Sequence, residues 1–100
     1  MCEYSIRFDP YFGLISPEQE FRSVGVAFAP GVDYMSDIVA ATDDITVQLV
    51  FNNAGYICTG FFESVAVEKQ LANVECNSTA CVPITHHFVK KMIDQKLKVL

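Results

Sequence analysis

The chain has 100 residues, the length of one small domain. Its apolar fraction of 51% supports a folded core, while a net charge of −5, with seven Lys and Arg against twelve Asp and Glu, argues against a phosphate-tracking nucleic-acid surface. No run of about 18 apolar residues is present, so no membrane span is expected, and Met1-Cys2-Glu3-Tyr4 lacks the basic and apolar regions of a signal peptide.

Residues 1–20 yield no assignable element, because Asp9-Pro10 and Ser16-Pro17 interrupt every period. Ser16-Pro17-Glu18 fits a helix start, with Pro17 in the first helical position, or a loop entering the next strand, and the loop is preferred. Arg22 to Phe28 reads as a strand in which Val24, Val26 and Phe28 alternate with small residues, and Ala29-Pro30-Gly31 ends it. Tyr34 to Ala41 reads as a short helix with Asp33 as N-cap and Tyr34, Ile38 and Ala41 on its apolar face. A second, nearly continuous apolar strand runs from Thr46 to Phe51. Strand, helix, strand in this order predicts a parallel pair joined by a crossover.

The loop Tyr56-Ile57-Cys58-Thr59-Gly60-Phe61-Phe62 is too aromatic for an ordinary exposed connection and is expected to pack against a partner or ligand. A long helix is then predicted from Ser64 to about Lys96. Val67, Leu71, Val74, Cys81, Phe88 and Met92, with Ser78 and Thr85 at the missing steps, form one stripe along it. Pro83 withdraws the N–H that the Thr79 carbonyl needs and bends the helix.

The candidate chemistry starts at the end of the second strand. Buried parallel strands are apolar runs of this length, and Asn52-Asn53-Ala54-Gly55 stops this one where open α/β sheets bind ligands. The two amides read either as a ligand-lining pair or as a turn after the strand. The apolar strand favours the ligand, since a buried amide needs partners. Asn77, flanked by Val74, Ala80 and Cys81 on the long helix, reads first as a structural amide, and otherwise as a group that holds a water or points into a site. His86 and His87 lie about 100° apart on a helix and cannot share one metal. Ser64, Ser78 and Thr79 show no base partner, which leaves a hydrolase triad without support. Cys2, Cys58, Cys76 and Cys81 form no C-x-x-C pair and complete no zinc pattern, so no metal site is expected and they read as buried or free thiols in a reducing compartment.

Taken together, a strand, a short helix, Leu49-Val50-Phe51-Asn52-Asn53-Ala54-Gly55-Tyr56, a Gly-Phe-Phe loop and Asn77 inside a long helix resemble the middle of a short-chain dehydrogenase/reductase over roughly residues 21–100. Thr85-His86-His87-Phe88 and Met92 are similar to the branch near hydroxysteroid and 3-ketoacyl reductases. The resemblance implies an α/β fold, a fragment of a doubly wound Rossmann-type sheet with parallel strands. It implies that Asn52, Asn53, Ala54 and Gly55 flank the adenosine half of NAD or NADP. It also implies that Asn77 matches the family's active-site asparagine, which holds a water in a proton relay to the catalytic lysine. The substrate class it implies is a carbonyl or alcohol.

The family's glycine-rich turn and its Tyr-x-x-x-Lys are absent from this sequence, and Ala27-Phe28 stands where many relatives carry an adenine-side Asp. The expectation is therefore a segment of an NAD(P)-dependent oxidoreductase, inactive as this chain: a natural truncation, a gene-model fragment or one piece of a split enzyme. The alternative is a non-enzymatic module that pairs through its long helix, including as a homo-oligomer through residues 65–96. Either reading places the chain in the cytoplasm or peripherally on an intracellular membrane.

Overall fold

The computed structural model describes residues 22–96 in full and the backbone of residues 3–5. The architecture is mixed and helix-dominated. Strand β1 (Glu3–Ser5) pairs with β2 (Gly25–Ala27), helix α1 (Tyr34–Thr42) follows, and after a long irregular stretch come α2 (Val67–Val74), a π-turn (Glu75–Thr79) and α3 (Cys81–Asp94). The reading of Ser16-Pro17-Glu18 falls outside the described residues.

The β1–β2 pair is antiparallel, with Glu3 opposite Ala27, Tyr4 opposite Val26 and Ser5 opposite Gly25. Three residues of the unassigned N-terminal segment thus join the sheet, and the predicted strand at Arg22–Phe28 shortens to its centre. The expected parallel partner is corrected: among the described residues no strand is assigned over Thr46–Phe51. A parallel strand of this composition needs cover on both faces. Here only Val47 and Val50 pack against the core, while Leu49 is 72% and Phe51 77% exposed.

Helix α1 forms as its sequence predicts. Asp33 Oδ1 accepts from the Ser36 backbone N–H at 3.1 Å, and Ser36 Oγ donates to Asp33 Oδ2 at 2.6 Å, which satisfies the first turn. At the other end Arg22 Nη1 donates to the Ala41 carbonyl and Lys91 Nζ to the Thr42 carbonyl, each at 3.2 Å. Two cations on orphan carbonyls suit the negative pole of the helix. Arg22 also grips Asp44 with both guanidinium nitrogens, at 2.5 and 2.9 Å.

The core lies where β2 and α1 meet the long helix. It comprises Val26, Phe28, Tyr34, Ile38, Cys76, Ala80, Ile84, Phe88 and Met92. Tyr34 sets its ring edge-on to Phe28 at 4.8 Å between centroids. The long helix offers this core residues four apart, with small Cys76 and Ala80 giving way to larger Ile84, Phe88 and Met92. The single predicted stripe therefore separates into two. Phe88 and Met92 are buried, but Val67, Leu71 and Val74 lie half or more exposed, on a surface that includes Val82 and Ile93. Cys76 is disulfide-bonded, which corrects the reading of all four cysteines as thiols, whereas Cys58 and Cys81 are free.

The helix begins later than Ser64. Ser64 and Val65 donate backbone N–H bonds to the Phe61 carbonyl, and Gln70 Nε2 bridges the carbonyls of Phe62 and Val65 at 2.8 and 2.9 Å. The irregularity that Pro83 predicts is a π-turn one turn upstream, where the Ala80 N–H reaches past the usual acceptor to the Glu75 carbonyl at 2.9 Å. Proline leaves the carbonyl of Thr79, four residues back, without its usual donor, and a widened turn ending at that residue takes in an additional residue.

Candidate functional site around Asn77

The site is built on the π-turn. Such insertions recur at functional positions because they turn side chains and carbonyls out of the regular helical register. Asn77 stands in the middle of the turn, and its amide meets the backbone of the loop that follows Gly55. Oδ1 accepts from the Tyr56 N–H at 2.9 Å, and Nδ2 donates to the Tyr56 carbonyl at 2.9 Å. Asn73, one turn earlier on the same face, donates from Nδ2 to that same carbonyl at 2.7 Å, and its Oδ1 accepts from Asn77 Nδ2 at 3.4 Å. Two amides thus bracket both polar groups of Tyr56.

Gly55 belongs to the same contact. A Cβ built on it would lie 3.2 Å from Asn77 Oδ1 and 3.9 Å from Asn77 Cγ. Its smallness lets the helix amide reach the loop, a close approach of the kind that favours glycine. Ala54 is half-buried and packs against the core. Asn52 is fastened further along, with Nδ2 donating to Thr85 Oγ1 on α3 at 2.9 Å. Asn53 turns the chain, its backbone N–H donating to the Phe51 carbonyl at 3.1 Å, and its side chain is exposed.

Of the residues singled out in the sequence, the structure brings Gly55 and Asn77 together through Tyr56 and places Asn52 on the same helix at Thr85. The premise that the two strand-end amides are buried does not hold, for Asn52 and Asn53 are both exposed. Neither does the aromatic loop find cover among the described residues, where Ile57 is 85% and Phe62 83% exposed. Asn73 went unread, although its spacing of four from Asn77 was the available signal. No sequence signal pointed to Tyr34 and Glu75, whose contact joins α1 to the π-turn, with Tyr34 Oη donating to Glu75 Oε1 at 2.6 Å. Burial, reinforced by that hydrogen bond, pushes the Tyr34 phenol up to about 12. Glu75 Oε2 also accepts from Thr79 Oγ1, at the far end of the turn.

The remaining candidates do not converge on this site. His86 is exposed, while His87 lies with its ring edge-on to Phe88 and its Nε2 buried without a hydrogen-bond partner. Among the described residues no group of three or more His, Cys, Asp and Glu is placed to hold a metal ion. An open groove of about 680 Å³ runs along the outer face of α3 between Cys81 and Ile93, with Thr85 and His86 in its wall. No described helix is long and apolar enough to cross a membrane.

As for a dinucleotide, the amides around Tyr56 are committed to protein backbone, and Gly55 turns its open side to Asn77. No family model, curated protein or solved structure matches this chain.

Proposed function

We propose that this chain is a segment of an NAD(P)-dependent short-chain dehydrogenase/reductase acting on a carbonyl or alcohol substrate, and that it is inactive alone. The observation that carries the reading is the joint between the two separated parts of the resemblance. Asn77 holds the Tyr56 peptide through both of its amide atoms, directly after Asn52-Asn53-Ala54-Gly55. A helix asparagine set against that loop supports the reading.

In this reading residues 22–96 are part of a Rossmann-type sheet-and-helix layer. Asn52, Asn53, Ala54 and Gly55 flank the adenosine half of NAD or NADP. Asn77 corresponds to the active-site asparagine, with its side chain fixing the loop beside the cofactor. The bound nicotinamide supplies the hydride chemistry. This chain's own residues position that loop and carry no proton to substrate, since Tyr-x-x-x-Lys is absent. The resemblance implies the cytoplasm or the surface of an intracellular membrane, whereas the disulfide at Cys76 favours an oxidising compartment.

A chimera tests the reading. Residues 22–96 replace the matching segment of an intact short-chain reductase, and NADPH binding is followed by fluorescence. Binding by the folded chimera is expected, together with no NADPH turnover by the 100-residue chain alone. A folded chimera that binds no NADPH overturns the assignment.

One observation favours the non-enzymatic alternative. Val67, Leu71, Val74, Val82 and Ile93 are each at least 50% exposed along the long helix. These residues, rather than the buried Phe88 and Met92, are the surface for pairing with a second copy. A well-behaved monomer in analytical ultracentrifugation counts against it.

A further inference from the structure

We propose that Glu75 is a positioning residue that holds Glu75–Thr79 in its π register and so keeps Asn77 on the Tyr56 peptide. What that does for catalysis rests on the reductase reading; the turn geometry does not.

Glu75 ties the turn together in two ways. Its carbonyl takes the Ala80 N–H at 2.9 Å, the five-residue bond that defines the widened turn. Its carboxylate spans the same turn on the outside, accepting from Thr79 Oγ1 at the far end. The second carboxylate oxygen accepts from Tyr34 Oη at 2.6 Å, which anchors the turn to α1. Tyr34 is a fixed reference point, being buried and held edge-on by Phe28.

The turn needs such a tie. π-turns are rare and short because the α-helix is the better-bonded alternative. A return to ordinary helical bonding removes one residue from the turn and rotates α2 against α3 by about 100°. Ile84, Phe88 and Met92 fix α3 in the core, whereas α2 has no buried residue. Cys76, buried and disulfide-bonded, holds the core side of the turn, so a slip of register is taken up at Asn73 and Asn77 and carries both amides off Tyr56. Glu75 itself has no hydrogen bond to Tyr56 among those described and acts through the backbone of the turn.

Hydrogen exchange of the full 100-residue chain tests this. The Tyr56 amide reports the site directly, since its acceptor is Asn77 Oδ1. In Glu75→Ala it is expected to exchange at least about fivefold faster, with the Phe88 and Met92 amides little changed. Glu75→Gln, which can still accept from Tyr34 and engage Thr79, is expected to restore most of the protection. Equal acceleration of all amides, or an unmoved Tyr56 amide, overturns the proposal. Should Glu75→Ala fail to fold, Thr79→Val removes one tie at an exposed position, and the same Tyr56 criterion decides. Nucleotide binding is not part of the readout, so failure of the reductase reading and failure of this proposal are separable.

Discussion

Gly55 packs its bare Cα against the side-chain amide of Asn77, where a methyl group would stand 3.2 Å from Oδ1. No left-handed backbone conformation is involved at Gly55, in contrast to Gly60, whose φ is +130° and whose added Cβ would lie 2.9 Å from Val65 Cγ2. The glycine requirement at position 55 is therefore one of contact alone. Gly55→Ala is expected to destabilise by roughly 1 kcal/mol, the crowding outweighing the entropy gained by stiffening the unfolded chain. In an Asn77→Ala background the penalty is expected to vanish. Urea denaturation of the four proteins of this cycle measures it, and an unchanged penalty there removes Asn77 as its source.

Asn77→Ala strips Tyr56 of the acceptor for its N–H and of one of the two donors on its carbonyl. A loss of about 1–2 kcal/mol is expected for so exposed a pair of bonds. Asn73→Ala is expected to cost less, because Asn77 still serves the carbonyl. Equal losses in equilibrium unfolding contradict that ranking.

Alkaline stability depends on Tyr34. Its phenol titrates at about 12 in the fold against 10.0 for the free group, so the folded state favours the neutral form. That contribution is complete below pH 10 and is lost as pH rises through 12, because the unfolded chain releases the proton first. Absorbance titration of phenolate is expected to show a late component that is lost in Tyr34→Phe. A wild-type curve without a late component contradicts the Tyr34–Glu75 contact.

Acid acts in the opposite direction on two exposed carboxyls. Hydrogen bonds from Ser36 hold Asp33 below its usual value, and hydrogen bonding to Arg22 does so for Asp44. Their contributions are present above the ordinary carboxylate pKa near 3.8 and are lost as pH falls through the depressed values. Asp33→Asn and Asp44→Asn are each expected to flatten the fall of the melting temperature as pH drops below about 4. Salt is expected to weaken the Asp44 effect, since that pair faces solvent. A wild-type slope in both variants refutes the assignment.

The two sides of the long helix are expected to respond differently to truncation. Phe88→Ala opens a hole in the core and is expected to cost about 3–5 kcal/mol. Val82→Ser and Ile93→Ser lie on the exposed side and are expected to leave chemical stability within roughly 0.5 kcal/mol. If the second-copy reading holds, the same serines shift sedimentation toward monomer.

Local signals in this sequence were legible wherever chemistry acts over a few residues. Asp33 and Ser36 specify the start of α1, and Pro83 announces a defect in the long helix. Periodicity alone did not show which side of that helix is buried, because Val67-Leu71-Val74 and Ile84-Phe88-Met92 both carry helical spacing. Tertiary partners decide, and the partners of the second set, Val26, Phe28, Tyr34 and Ile38, lie far away in the chain. Thr46–Phe51 was misread for the same reason: an apolar run becomes a strand only beside another strand. In the site, Asn77 stood out as an amide among apolar neighbours on the long helix, but its bond to Tyr56 and the help from Asn73 did not. Backbone acceptors leave no mark in a sequence.

Asn52 and Tyr56 are moored at two stations on one helix, at Thr85 and Asn77, roughly 12 Å apart along its axis. The three residues between them hang like a short bridge, with one pier inside the π-turn and the other beyond it on α3. A change in the register of the π-turn alters how the two piers stand to each other, and the span must adjust in step. The register of this helix is thus tied to the Asn-Asn-Ala-Gly strap through its two moorings alone.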